Sequence, residues 1–323
     1  MTKQLLQDMK ELYGLTVKEI FRFGKSVNAT YKLITKDGEY FLKELYFFKG
    51  TKKEHFFAQV DIVLHMKKKG LNVLTPLQTK TGGYVGEINN RYYLLYPYHE
   101  IDAPLNNDDR LNFAANTLAD FHEAMKDFET KYEVQEKSIE KDVDTITLLT
   151  EEPKTFHSEP LVDSAKKTKH PLKKEFIKEL PFLKNVAIRI MRHLWGMPFT
   201  EKSLLHYDFG PHNIFYSKGN FLAVSDFDFS HFGFVEVDVA KAAKFWSEKE
   251  DGTIDLRKFR RFIYVYSKQR NMKIDWGVYY GLALFIVMRR LVYATNYTFT
   301  RKDLKFLYDK DIKTLHFLME NKF

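Results

Sequence analysis

The sequence predicts an α+β chain of two lobes, a small β-rich one over residues 1–97 and a mostly helical one over residues 98–323. Three observations carry this. A chain of 323 residues exceeds one ordinary small domain and suits two lobes around a cleft. Its first hundred residues read as short strands separated by turn signals, with one inserted helix. Beyond them, apolar residues recur at helical spacing.

The elements follow in order. After an opening helix, Val17 to Phe23 and Thr30 to Thr35 read as two strands joined through Gly24-Lys25-Ser26-Val27-Asn28. Lys36-Asp37-Gly38-Glu39 is a turn, and Tyr40 to Leu45 is the third strand. In the helix that follows, Phe57, Val60 and Leu64 share a face, and Gly70 stands where a C-terminal cap would end it. Val73 to Gln78, Gly83 to Ile88 and Arg91 to Tyr96 are further strands, the last two a hairpin across Asn89-Asn90. Pro97 to Pro104 is the expected crossing to the second lobe.

Leu111, Ala115, Leu118 and Phe121-His122 then keep a helical period. The stretch Lys126 to Pro181 is charged and weakly periodic, with room for one or two helices, and Phe182 to Leu194 is helical. Three more helices are expected near Leu256–Arg270, Trp276–Thr295 and Asp303–Met319. The middle one is apolar on most faces and should be the core helix.

Composition excludes several classes. Hydrophobic residues at 44% and charged residues at 29% describe a folded globular chain. The 29 Phe and 19 Tyr promise a ring-rich core. Absence of cysteine removes disulfides, thiolate metal sites and a cysteine nucleophile, and fits a cytoplasmic setting. The apolar run Trp276 to Met288 stops at Arg289 and Arg290, short of the ~20 residues of a membrane span, so no span is expected. Net charge is +8, yet the densest basic segment, Lys166 to Lys178, is broken by Glu175 and carries no nucleic-acid motif. It reads as a solvated helical face, and nucleic acid is not an expected partner.

The strongest chemical signal is Leu204-Leu205-His206-Tyr207-Asp208-Phe209-Gly210-Pro211-His212-Asn213. A second apolar run, Phe221 to Ser225, ends in Asp226-Phe227-Asp228 thirteen residues after Asn213. A bare H-x-D-x-x-x-x-N match is weak by itself; the acid-tipped strand at short interval strengthens it. The bland alternative is a surface loop with incidental acids. Phosphoryl transfer calls for these groups, because a transferring phosphoryl carries heavy negative charge that divalent cations neutralise. Magnesium takes oxygen ligands from one or two carboxylates, phosphates and water. Asp226 offers a carboxylate and Asn213 a neutral amide oxygen, while Asp208 is placed to accept a hydroxyl proton. His206 is expected to hold the loop. Asp228 reads equally as a metal ligand or a supporting acid. The eleven His show no metal-ligand spacing.

Together these segments resemble the aminoglycoside phosphotransferase and choline kinase superfamily, a branch of the protein-kinase-like fold. His206 to Asn213 looks like its catalytic loop, including Pro211 two residues before Asn213. Ser225-Asp226-Phe227-Asp228 resembles its metal motif, Val237-Asp238-Val239-Ala240 its following Asp-Leu-Ala, and Leu118 to His122 its Leu-Ala-x-x-His helix end. The likeness spans about residues 20–245. The Asp-Phe-Asp form, the charged insert and the aromatic content look most like the spore-coat CotS/YutH-like kinases of endospore-forming bacteria.

The resemblance implies a two-lobed kinase-like fold and an ATP- and Mg2+-dependent phosphotransferase acting on a small-molecule hydroxyl. The alternative is a weak or inactive spore-coat protein with spore-coat partners and location. Asp208 and Asn213 would be catalytic, with Asn213, Asp226 and Asp228 at the metal. Lys43 matches the family's strand lysine, whose charge suits the α- and β-phosphates. The Gly24 to Asn28 loop, with Ser26 and Asn28, would cover phosphates with its amides, although its single Gly equally suits an ordinary hairpin. Asp238 is expected to support the catalytic loop. No Ala-Pro-Glu activation segment follows Asp226, which argues against a protein substrate. One departure stands out: the slot of the Glu that usually pairs with the strand lysine falls near Gln59, with Asp61 and Glu54 nearby but off register. Either an insertion shifts the register or the lysine lacks its usual partner. Trp195, Trp246 and Trp276 are expected in the core; were they to line the cleft, a cationic amine would fit.

Overall fold

Where apolar side chains alternate along a strand they bury one face of a sheet, and this pattern organises the N-terminal part. The computed structural model describes residues 2–23, 28–47, 52–105, 107–137, 139, 161–194, 199, 201–300 and 303–321. Ser26 with the rest of 24–27, Trp195, and most of the charged stretch at 140–160 lie outside the described residues. The chain divides into two compact units. The first gathers Met1–Pro104, Glu123–Gln135 and His212–Ser230; the second gathers Leu105–His122, Glu136–Pro211 and His231–Phe323.

The first unit opens with helix α1 (Thr2–Tyr13). Strands β1 (Val17–Arg22), β2 (Ala29–Thr35) and β3 (Glu39–Leu45) precede helix α2 (Glu54–Lys68). Strands β4 (Gly86–Ile88) and β5 (Arg91–Pro97) complete an antiparallel sheet of order β1-β2-β3-β5-β4. Asn89 and Asn90 turn the last hairpin at φ 48° and 58°, the left-handed pair that a tight type I′ turn requires. Leu5 and Met9 of α1 pack with Leu33, Leu42 and Tyr93 in one cluster. Phe56 and Val60 of α2 form another with Leu45, Tyr92 and Leu94. Gly70, at φ 84°, ends α2, with Leu71 N donating to Met66 O at 3.1 Å. That bond closes the expected glycine cap.

Val73 to Gln78 departs from expectation. It forms no strand; Val73 makes a single parallel bridge to Val224 and Leu74 N donates to Val224 O at 2.9 Å. Pro76 lacks the N–H that a continued ladder would need. Those bonds join the segment to a second hairpin of the same unit, β7 (Ile214–Ser217) and β8 (Asn220–Val224).

In the second unit, α3 (Asp108–Ala124) buries Leu111, Ala115, Leu118, Phe121 and His122 as its period requires. Helices α4 (Leu161–Lys167) and α5 (Leu172–Leu194) follow. Helix α5 starts ten residues earlier than Phe182 and runs through Pro181. Leu172, Phe176, Leu183, Val186 and Ile190 hold one buried face across the proline, so packing of that face outweighs the lost backbone bond. The lysines at 166, 167, 169, 174 and 178 are exposed, which makes this segment the solvated face expected of it.

Strand β6 (Lys202–Leu205) pairs with β9 (His231–Phe234). Helices α6 (Val235–Ser247), α7 (Leu256–Gln269), α8 (Trp276–Thr300) and α9 (Lys305–Glu320) complete the unit. Helix α8 is long and apolar enough to cross a membrane by length and composition, but 72% of its most apolar window is buried within the protein. The arginines that ended the apolar run sit mid-helix, and Arg290 Nε binds both carboxylate oxygens of Asp311 on α9 at 2.9 Å. The core is ring-rich, with Trp246, Tyr266, Phe121, Phe259 and Phe285 fully buried. Trp276 departs from expectation, being 36% exposed at the start of α8.

Candidate active site

Within the first unit, β3, α2, the β7–β8 hairpin and its exit wall a cavity of about 410 Å³. Asn28, Lys43, Gln59, Asn213, Asp226 and Asp228 all line it. Strand β3 presents Lys43 opposite Thr30 of β2 and Leu94 of β5. Asn213 ends a 3-10 turn begun by Pro211, and its carbonyl accepts from Ser225 N at 3.0 Å and from Ser225 Oγ at 3.2 Å. These bonds hold the two motifs side by side. Asp226 takes φ 62°, a left-handed conformation that a non-glycine residue adopts only at some energetic cost.

Lys43 Nζ donates to Asp226 Oδ1 at 2.9 Å and to Asp228 Oδ1 at 2.7 Å. Burial would lower the lysine pKa, but the charges of Asp228 and Asp226 outweigh it and raise it above the ordinary value. Asp228 is the deeper acid, its side chain 9% exposed against 38% for Asp226. Burial pushes its carboxyl up to about 6 against the pull of Lys43, with the charge of Asp226 adding to the rise. Asn28 Nδ2 donates to Asp228 Oδ2 at 2.5 Å, and Asn28 Oδ1 accepts from Tyr46 N at 3.0 Å. The Asn28 amide thus holds Asp228 in place. His55 Nε2 lies 2.8 Å from the Asp228 carbonyl oxygen.

Gln59 is buried in this cavity at the slot where an acid was expected. Lys43 therefore pairs with the two motif acids. Gln59→Glu is expected to add a competing anion and loosen that hold. Mg-ATP should then bind about tenfold tighter, roughly 1.4 kcal/mol, with a steeper magnesium dependence. Calorimetry across a magnesium series checks this, and unchanged affinity would count against it.

In the second unit, β6 leads into His206-Tyr207-Asp208. The fully buried Asp238 of α6 accepts from His206 N at 2.7 Å and from Tyr207 N at 2.9 Å. Its Oδ2 also lies 3.2 Å from His122 Nε2, while His122 Nδ1 lies 2.7 Å from the Tyr266 hydroxyl. His206 Nδ1 accepts from Asp208 N at 3.2 Å, so this histidine holds backbone and leaves the Asp208 carboxylate half-buried. Trp246 Nε1 donates to Phe209 O at 3.1 Å. The loop is thus fixed from both sides, and Asp238 supports it as its position suggested.

Sequence reasoning missed the basic groups around Tyr207, above all Lys241, whose Nζ lies 3.6 Å from the ring centroid. The available signal was spacing: Lys241 follows Asp238 by three residues, one turn along the same helix face.

An antiparallel N-terminal sheet, a mostly helical C-terminal part and the two loop motifs define a chain of the kinase-like fold. Residues 22–273 match the sequence model described as the Phosphotransferase enzyme family, APH, and the chain belongs to that family. No curated protein matches the sequence. Among solved structures, spectinomycin phosphotransferase APH(9)-Ia in complex with ADP and spectinomycin superposes at TM-score 0.70. Identity is 11%, over 99% of this chain and 98% of that one. An aminoglycoside phosphotransferase from Alicyclobacillus acidocaldarius gives 0.69 at 14% identity, over 98% and 95%. Amicoumacin kinase hAmiN, in complex with AMP-PNP, Ca2+ and Ami, gives 0.64 at 15%, over 98% and 92%.

Proposed function

We propose that this protein is an ATP- and magnesium-dependent phosphotransferase acting on a hydroxyl of a small molecule. One observation carries the reading: two carboxylates, an asparagine amide and a buried lysine converge on one cavity in a chain of the phosphotransferase family. The donor set suits magnesium, because carboxylate and amide oxygens are the hard ligands it prefers. The Lys43 ammonium already sits where a positive charge is stabilised. Asp226, Asn213 and Asp228 would hold the metal, and Asn28 keeps Asp228 oriented. When bound, magnesium neutralises the phosphate oxygens and the charge that develops on the leaving group.

Lys43 would bind the α- and β-phosphates as a point charge. Asp208 accepts the acceptor's hydroxyl proton while the acceptor oxygen bonds to the γ-phosphorus and the bond to the ADP bridging oxygen breaks. The neighbours bound to ADP and to AMP-PNP with Ca2+ support nucleotide and divalent-cation use.

Calorimetry of Mg-ATP on the wild type beside Asp226→Ala tests the reading. Micromolar-range, magnesium-requiring binding that weakens at least about tenfold in the variant is the expected result. A folded wild type that binds no Mg-ATP would refute it. Gln59, in place of the acid expected to partner Lys43, favours a second reading, a catalytically weak protein of the CotS/YutH-like spore-coat group. That reading predicts Mg-ATP binding without turnover.

A further inference from the structure

Lys43 binds the same two acids that would hold the metal. Its Nζ donates to Asp226 Oδ1 at 2.9 Å and to Asp228 Oδ1 at 2.7 Å. The other oxygen of Asp228, Oδ2, accepts from Asn28 Nδ2 at 2.5 Å, so both oxygens of the deeper acid are engaged. Asn28, Lys43, Asp226 and Asp228 all belong to the first unit and line one cavity. The lysine side chain is 11% exposed. A divalent ion drawn to the same two Oδ1 atoms would meet that buried ammonium, and like charges repel strongly where water is excluded.

The cavity offers the lysine no other anion to hold. Gln59 of α2, in the slot where an acid was expected, is buried and lines the same cavity, and its amide carries no net charge. Among the described residues, Asp226 and Asp228 are the acids with which Lys43 pairs. An ammonium has three N–H groups. Two are spent on these acids, and among the described residues the third has no hydrogen-bond acceptor. A nucleotide phosphate entering the cavity can take that N–H first, and its charge then competes for the whole ammonium.

We infer that, in the nucleotide-free protein, Lys43 occupies the seat of the divalent cation, so that Asp226 and Asp228 accept a metal only once nucleotide phosphates draw the ammonium off them. The inference rests on the phosphotransferase reading and adds a control built into its site: free magnesium alone does not fill the seat. Neutral Gln59 permits this, because a glutamate there would share the ammonium and free the two acids.

The probe is Mn2+, which takes the same hard oxygen ligands as magnesium and is followed by the electron paramagnetic resonance signal of the free ion. Without nucleotide, the full-length wild type should hold Mn2+ no tighter than about millimolar, and Lys43→Met should hold it at least about tenfold tighter. Adding Asp226→Ala to Lys43→Met should remove that gain, which assigns it to this seat. Thermal melting checks that each variant is folded. If Lys43→Met is not, Gln59→Glu decides in its place and should bind nucleotide-free Mn2+ about tenfold tighter than the wild type. Micromolar Mn2+ binding by the nucleotide-free wild type would overturn the inference. So would a folded Lys43→Met that binds no tighter than the wild type, or a gain that survives Asp226→Ala. A separate titration of the wild type with AMP-PNP in the presence of Mn2+ should give micromolar-range binding. Its failure strikes the phosphotransferase reading and does not alter the nucleotide-free result.

Discussion

Asp208→Asn is expected to lower turnover by about a thousandfold, within the span that a positioned general base contributes. Asparagine has nearly the same shape, and the backbone bond from residue 208 N to His206 Nδ1 at 3.2 Å does not involve the side chain. The loop should therefore keep its form. What disappears is an oxygen able to take a proton. Nucleotide affinity should stay within about twofold, because Asp208 is not among the residues that line the cavity with Lys43, Asp226 and Asp228. A coupled ADP-release assay with the acceptor, run beside calorimetry with Mg-ATP, reads both quantities. Turnover near the wild-type level would remove Asp208 from the chemistry.

The second large effect is expected at Asp238. It is fully buried, and its two oxygens hold His206 N, Tyr207 N and the His122 ring. Asp238→Ala would leave those donors without their acceptor in the interior. Each such loss costs about 1–3 kcal/mol, and removing one member of a buried charged network about 3–5 kcal/mol. We expect about 3 kcal/mol of lost stability in urea unfolding. Turnover should fall by more than about a hundredfold as well, since small misplacement of a catalytic group is enough for that. Asp238→Asn, which keeps one acceptor oxygen, should recover roughly half of the lost stability. A stable, fully active alanine variant would show that the loop holds its form without this acid.

Much of the fold was legible because its signals are local. The Asn89-Asn90 turn, the Gly70 cap and the period of Leu111, Ala115 and Leu118 involve residues within a few positions of one another, where backbone sterics and burial of one face decide the outcome. Where a competing contact acted, the local reading erred. Proline at 181 reads as a break, yet helix α5 continues through it because its buried face spans both sides. Val73 to Gln78 reads as a strand, yet it finds a single bridging partner, Val224, far away in the chain.

The sequence by itself determined the fold class, the family and the two loop motifs, with Asp208, Asn213, Asp226 and Lys43 as its candidate residues. Those follow from residue type and spacing along one chain. Only the tertiary structure decided what these groups face. It packs the Asn213–Asp226 segment with the N-terminal sheet and pairs Lys43 with two acids. It commits the Asn28 amide to Asp228 and gathers Lys137, Lys241 and Arg289 around Tyr207. The physical reason is range: backbone preference acts over a few residues, whereas charge and burial act through space between residues that may be nearly two hundred positions apart.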